Sequence, residues 1–195
     1  MSGPEDRCSE FSCEDNCCLS EAAAQLRDCL RLLWEQHVYW TRMVILGIAF
    51  DLPDLKQTTN RLLRNARDFG RVFGRFYGKE IAAEFERLIR DHLVIAAELV
   101  KAAKAGNSSA AADAEKRWYA NAEEIVCFLK NINPNWTVHC MRSMWFTHLV
   151  LTKEEAVATL KGEYDRSIET FNQIEKEALV MADEFSCGII NQCNL

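Results

Sequence analysis

The sequence predicts an all-α fold, an antiparallel helical bundle of four long helices plus one or two shorter ones. Three observations predict it. Apolar residues recur at steps of three or four through almost all of 21–191, the period of a helix with one buried face. No stretch alternates apolar and polar residues as a half-buried strand does, and no Asn-Gly or Asp-Gly pair marks a hairpin. At 195 residues and 49% hydrophobic, the chain has enough apolar side chains for one sizeable core.

Residues 1–19 are polar, Cys-rich and aperiodic, and read as a mobile tail; 20–195 read as the bundle domain. Ser20 is placed to cap the first helix, predicted over 21–50 with Leu26, Leu30, Leu33, His37, Trp40, Val44 and Ile48 on one stripe. Pro53 suits the first turn of a second helix over 53–77, whose stripe carries Leu62, Asn65, Phe69 and Val72. Gly78 is its stop. A third helix over 79–105 carries Phe85, Leu88, His92 and Leu99, with Gly106 beyond its end. A fourth opens at Ser108 or Ser109 and runs to about Lys130, with Ala114, Trp118, Asn121 and Ile125 inward. The stretch 131–136, NINPNW, is a loop by composition. A short helix is predicted over 140–149. Thr152-Lys153-Glu154-Glu155 then reads as a capping box, opening a last long helix to about Asn191 with Leu160, Tyr164, Ile168, Phe171, Ile174, Met181 and Phe185 inward.

Charge narrows the partners. Lys and Arg number 23 against 29 Asp and Glu, a net charge of −6. A nucleic-acid backbone or an anionic membrane needs a basic surface, so neither is expected as the main partner. Arg61, Arg64, Arg67, Arg71 and Arg75 read as a solvated helix face. No apolar run is long enough for a membrane span and no secretory signal opens the chain, so a cytoplasmic protein is expected. The nine cysteines are odd in number, which argues against a disulfide framework. Cys127, Cys140 and Cys187 read as small buried hydrophobes. Cys8, Cys13, Cys17 and Cys18 in the tail could bind a soft ion such as Cu(I) or Zn.

One stretch recurs. Arg61 to Phe69, RLLRNARDF, returns 56 positions later as RWYANAEEI from Arg117. The same offset takes His92-Leu93-Val94 onto His148-Leu149-Val150 and Asn121 onto Glu177, while His37 stands 55 positions before His92. Three units emerge, each a His followed by a polar residue 28 or 29 positions on: His37/Asn65, His92/Asn121 and His148/Glu177. That is the size of a two-helix repeat.

These polar groups lie on or beside apolar stripes. A buried polar group without a partner costs roughly 1–3 kcal/mol, so they are expected to meet one another in the interior. Imidazoles and carboxylates suit a divalent metal ion, and bundles build such sites from facing helices. The candidate ligands are His37, His92, His148 and Glu177. Asn65 and Asn121 would orient the imidazoles, and Trp34, Trp40 and Trp118 would wall a cofactor or small-molecule ligand. Haem is the second option for such a site. No Ser or Cys has an assignable His base, there is no phosphate-cradling Gly loop, and no His has Glu three positions before it as in di-iron carboxylate sites. No catalytic residue is assigned.

At LLWEQHVYWTR (32–42), RWYANAEEI (117–125) and NPNW (133–136) the chain resembles a family of small helical proteins from bacteria with no established activity. The resemblance covers most of 25–190. It implies a self-standing helical core with the Cys-rich tail as an addition, and supplies no catalytic residues. Two readings follow from the sequence. One is a soluble bundle binding a metal ion or cofactor at a buried His/Asn/Glu cluster, with redox or hydrolytic chemistry there. The other is a non-enzymatic structural or interaction bundle whose polar core groups only fix helix register, with an apolar stripe serving a partner or a second copy as a homodimer.

Overall fold

Helix α1 (Glu21–Ala49) starts one residue after Ser20, whose hydroxyl accepts from the Ala23 amide at 3.1 Å. The computed structural model describes residues 19–195; the four tail cysteines lie outside the described residues. All the regular structure among them is helical, in five helices packed against one another: α1, α2 (Leu55–Lys104), α3 (Ser108–Ile132), α4 (Val138–Lys161) and α5 (Tyr164–Cys193). No helix is long and apolar enough to cross a membrane.

Helix α2 is continuous only in name. Gly78 takes φ 83°, ψ 176°, a conformation open to glycine and strained for other residues. The chain doubles back there into limbs 55–77 and 79–104. The stacked rings of Phe73 and Phe85, 3.8 Å apart, show the return. Gly78 therefore separates two helical limbs as the sequence predicts. Lys104, in the last turn of the second limb, reaches across to α1. Its ammonium donates to the Ile48 carbonyl at 2.6 Å and pairs with Asp51, closing the C-terminal end of α1.

The fourth boundary falls elsewhere than the sequence suggests. Thr152 does not open a helix. Helix α4 runs through it from its cap at Thr137, whose hydroxyl accepts from Cys140 N–H. The stop is Gly162, at φ 76°, where Glu163 N–H bonds the Ala158 carbonyl and Gly162 N–H the Thr159 carbonyl. This is a left-handed Schellman close. Ser/Thr-x-x-Glu is a local signature that also occurs inside helices, and here the apolar period continues past it. The first turns of α5 differ for a related reason. Tyr164 and Ile168 are exposed, and Ser167 and Thr170 are the buried residues, because that part of the interior is polar. Cys127 is exposed, and Cys140 and Cys187 are only half-buried. None of the three is therefore a fully buried core residue.

Along its axis the core has three zones. One end is aromatic: Phe73, Phe85, Trp136 and Phe185 are all fully buried and in mutual ring contact. The other end is aliphatic, built from Val44, Ile45, Ile48, Leu99, Val100 and Ala156. Between them lies the layer containing the histidines. On the surface, Arg64 and Arg71 pair with Asp68, as expected of a solvated face.

Trp136 locks the aromatic end. Its indole N–H donates to the Glu184 carbonyl at 3.2 Å and its ring occupies the space where Gly188 would carry a Cβ. Gly188→Ala is expected to destabilise the fold by about 1–3 kcal/mol through overpacking, lowering Tm by roughly 2–12 °C for a chain of this size. Thermal unfolding checks it; an unchanged Tm would mean the indole does not pack there.

Candidate metal centre

Each of three helix pairs brings one imidazole to the middle layer and one partner to hold it. His37 on α1 meets Asn65 on the first limb of α2, with Nδ1 and Oδ1 3.0 Å apart. His92 on the second limb meets Asn121 on α3 at 3.2 Å. His148 on α4 meets Glu177 on α5 at 3.2 Å. The three histidines are 1–2% exposed.

The asparagines decide which ring nitrogen carries the proton. Asn65 Nδ2 donates to the Leu33 carbonyl at 2.9 Å, and Asn121 Nδ2 donates to the Leu88 carbonyl at 3.1 Å. Leu33 and Leu88 each stand four residues before the histidine being held, so the same two-bond arrangement occurs twice. With the amide nitrogen committed to a carbonyl, only Oδ1 faces the ring, and it can only accept. Nδ1 of His37 and of His92 is therefore protonated. A carboxylate also only accepts, so His148 presents Nδ1–H to Glu177. In His37 and His92, which burial holds neutral, the remaining nitrogen, Nε2, carries a lone pair.

Those rings converge. One ligand nitrogen from each of His37, His92 and His148 lies within 4.8 Å of the other two, and the ring centroids are 5.6–6.0 Å apart. With Nδ1 engaged outward, the inward atoms of His37 and His92 are acceptors only. Protonation is opposed there. Burial, and then the neighbouring His148, push His37 down to about 3, against the Asn65 bond that raises it. Burial first, then His148 and His37, hold His92 well below the ordinary imidazole value. Such a buried triad could hold a metal ion.

Glu177 stands behind His148 and not beside the three nitrogens. Its Oε2 takes Nδ1–H and its Oε1 is buried without a partner among the described residues. It thus occupies the orienting role that Asn65 and Asn121 fill. Of the aromatic residues, Trp34 lies 5.2 Å from His37 and Trp118 lies 5.3 Å from His92. Trp40 is not among the rings in contact with the imidazoles; it is half-buried beneath the Arg61 guanidinium. Trp145, which stands three residues before His148 in the sequence, is 5.2 Å from His92 and 6.2 Å from His148. The indole N–H groups of Trp34, Trp118 and Trp145 are buried and have no hydrogen-bond partner among the described residues, and the same holds for the Thr152 hydroxyl.

A second polar group was not anticipated. Glu155 is 1% exposed and receives Arg42 at 2.5 Å; Arg42 also reaches Ser167, which bonds Thr159. Burial pushes the Glu155 carboxyl up to about 7 against the pull of Arg42. Arg42 falls one turn and a residue beyond His37, and a half-buried Arg needs a carboxylate. That was the available signal, but its partner is 113 positions away.

A void lies next along the core, lined by sequence neighbours of the histidines and not by the histidines themselves. An apolar cavity of about 270 Å³ runs among α1, the second limb of α2, α3 and α4, lined by Thr41, Leu93, Trp118 and Thr152 near the histidines and by Ile48 and Leu160 further out.

No family model matches the chain, and neither a curated protein nor a solved structure gives a significant match.

Neutral burial of His37 and His92 fixes a pH dependence. Unfolded imidazoles take protons near 6.5, while the folded ones stay neutral well below that, His37 to about 3. Stability is therefore full above 6.5 and lost as pH falls, by about 1.4 kcal/mol per pH unit for each histidine. Glu155 acts in the opposite sense between about 4.5 and 7. Denaturant unfolding of metal-free protein between pH 6 and 4, against a His37→Gln/His92→Gln variant retaining Glu155, isolates the histidines. The wild-type slope should be steeper by up to about 2.8 kcal/mol per pH unit; equal slopes would refute neutral burial.

Proposed function

We propose that this protein binds one divalent transition-metal ion through Nε2 of His37, His92 and His148, leaving a coordination position open toward the apolar cavity. One observation carries the reading: three buried imidazoles bring ligand nitrogens within 4.8 Å of one another, and burial keeps His37 and His92 neutral. Their lone pairs repel, and burial disfavours the proton that would relieve this. A cation relieves it. On a tetrahedral ion with bonds of about 2.1 Å, ligand nitrogens stand about 3.4 Å apart, within the 4.8 Å limit of the triad.

The surroundings fit a metal centre. Asn65, Asn121 and Glu177 each hold the far nitrogen, which fixes tautomer and ring orientation and raises ligand basicity. Three neutral imidazoles suit Zn, Cu, Ni, Co or Fe. Three protein ligands with a free position are the arrangement that activates water or takes a substrate at the metal, so the chemistry open to this site is hydrolytic or redox according to the ion. Haem fits poorly. A macrocycle ligated by any two of the imidazoles would need the space the third one fills.

The register-fixing alternative describes a different part of the interior. Arg42, Glu155, Ser167 and Thr159 are mutually bonded and need nothing further. The triad is not closed in that way. A purely structural histidine cluster would gain by turning one ring to donate to another, and Asn65 and Asn121 hold His37 and His92 against that turn.

Chelator-treated full-length protein, titrated with Zn(II) or Co(II), should take up one ion per chain that is lost in His92→Gln, with Co(II) bands free of thiolate charge transfer. At an ion concentration 100 times Kd, binding should add about 2.7 kcal/mol of stability, raising Tm by roughly 5–11 °C. Asn121→Leu should weaken binding by about 10–100-fold. Uptake that survives His92→Gln, or no uptake, would contradict the proposal.

A further inference from the structure

The aliphatic end of the core is incompletely filled, and the 270 Å³ space there has a definite chemistry. Its walls are aliphatic side chains and alanines, among them Ala96, Ala111 and Ala156, whose small size leaves the gap. An apolar cavity of about 150 Å³ takes a six-carbon ring; this one is larger by nearly a factor of two and takes a chain of about eight to ten carbons. The charged residues in its lining are Lys153 and Glu115, which pair with each other at 2.5 Å and are partly exposed.

Two of the lining residues carry buried polar atoms without partners. Trp118 is 2% exposed and Thr152 is 5% exposed, and neither the indole Nε1 nor the hydroxyl Oγ1 has a hydrogen-bond partner among the described residues. Both residues belong to the histidine end of the cavity. The Trp118 ring contacts His92, and Thr152 follows His148 by one helical turn. An indole N–H can only donate, and the Thr152 hydroxyl is free to donate. The missing partner is therefore an acceptor at the end of an apolar chain.

We propose that the cavity binds a medium-chain aliphatic carboxylate of about eight to ten carbons. Its chain lies along the aliphatic end, and its carboxylate accepts from Trp118 Nε1–H and Thr152 Oγ1–H. A carboxylate is favoured over an amine, which would bring donors to donors. It is favoured over an alcohol because an ion held by three neutral imidazoles leaves a net positive charge beside the head group. Contact of the carboxylate with the ion rests on the metal reading above; the two donors and the cavity do not.

The test is calorimetric titration of full-length protein, both Zn(II)-loaded and chelator-treated, with decanoate and with decylamine. The proposal expects saturable binding of one decanoate per chain by the Zn(II)-loaded protein and none of decylamine. Thr152→Val, which is close to isosteric, should weaken decanoate binding about tenfold. Ala156→Leu, which fills the cavity, should abolish it while zinc stoichiometry stays at one. No saturable decanoate binding by either form overturns the proposal, as does binding that neither substitution alters. If the chain takes up no zinc, the chelator-treated titration stands alone: decanoate binding sensitive to Thr152→Val supports the cavity proposal while the metal reading fails.

Discussion

The bond on which the site depends is the one between an asparagine amide and a histidine Nδ1. Asn65 and Asn121 each spend their nitrogen on a backbone carbonyl one turn before the histidine, so their oxygen alone faces the ring. That small commitment dictates the tautomer, turns Nε2 inward as an acceptor and removes the rotation by which two imidazoles could bond each other. Glu177 does the same for His148 with a carboxylate, and so leaves one buried oxygen over. Three helix pairs, each closed by one such bond, bring the ligand nitrogens to a common point.

The rest of the core is graded around that point. Rings fill the end built by Phe73, Phe85, Trp136 and Phe185. Small aliphatic residues leave the opposite end open as a cavity reaching Trp118 and Thr152. The asymmetry packs rings on one side of the histidine layer and leaves residues next to it on the other side, Trp118 and Thr152, lining a cavity. Arg42 and Glu155, satisfied within their own group, supply the register-fixing function separately.

Much of this was legible in the sequence. Histidines and asparagines on apolar helix stripes cannot be left unpartnered, and their spacing of 28 or 29 residues is what a helical hairpin needs to place two side chains at one depth. Gly78 as a helix stop and Ser20 as a cap followed from local chemistry. What was not legible depended on other parts of the chain. The Thr152 signature competed with an uninterrupted helix and with Gly162, whose left-handed conformation ends α4. The exposure of Tyr164 and Ile168 follows from the polar group that Ser167 joins. Glu177 was read as a ligand because carboxylates ligate, although its spacing matched the asparagines; the structure places it with them, behind the ring. Trp40 lies only three residues from His37, but its ring sits under Arg61.

The most direct measurement is of the imidazole nitrogens themselves. Proton–nitrogen correlation spectra of metal-free protein at neutral pH should show His37, His92 and His148 as Nδ1–H tautomers, with Nε2 unprotonated. One equivalent of Zn(II) should then shift the Nε2 resonances of all three together, in slow exchange, and leave exposed His139 unchanged. An Nε2–H tautomer at any of the three, or spectra that zinc does not alter, would contradict the account.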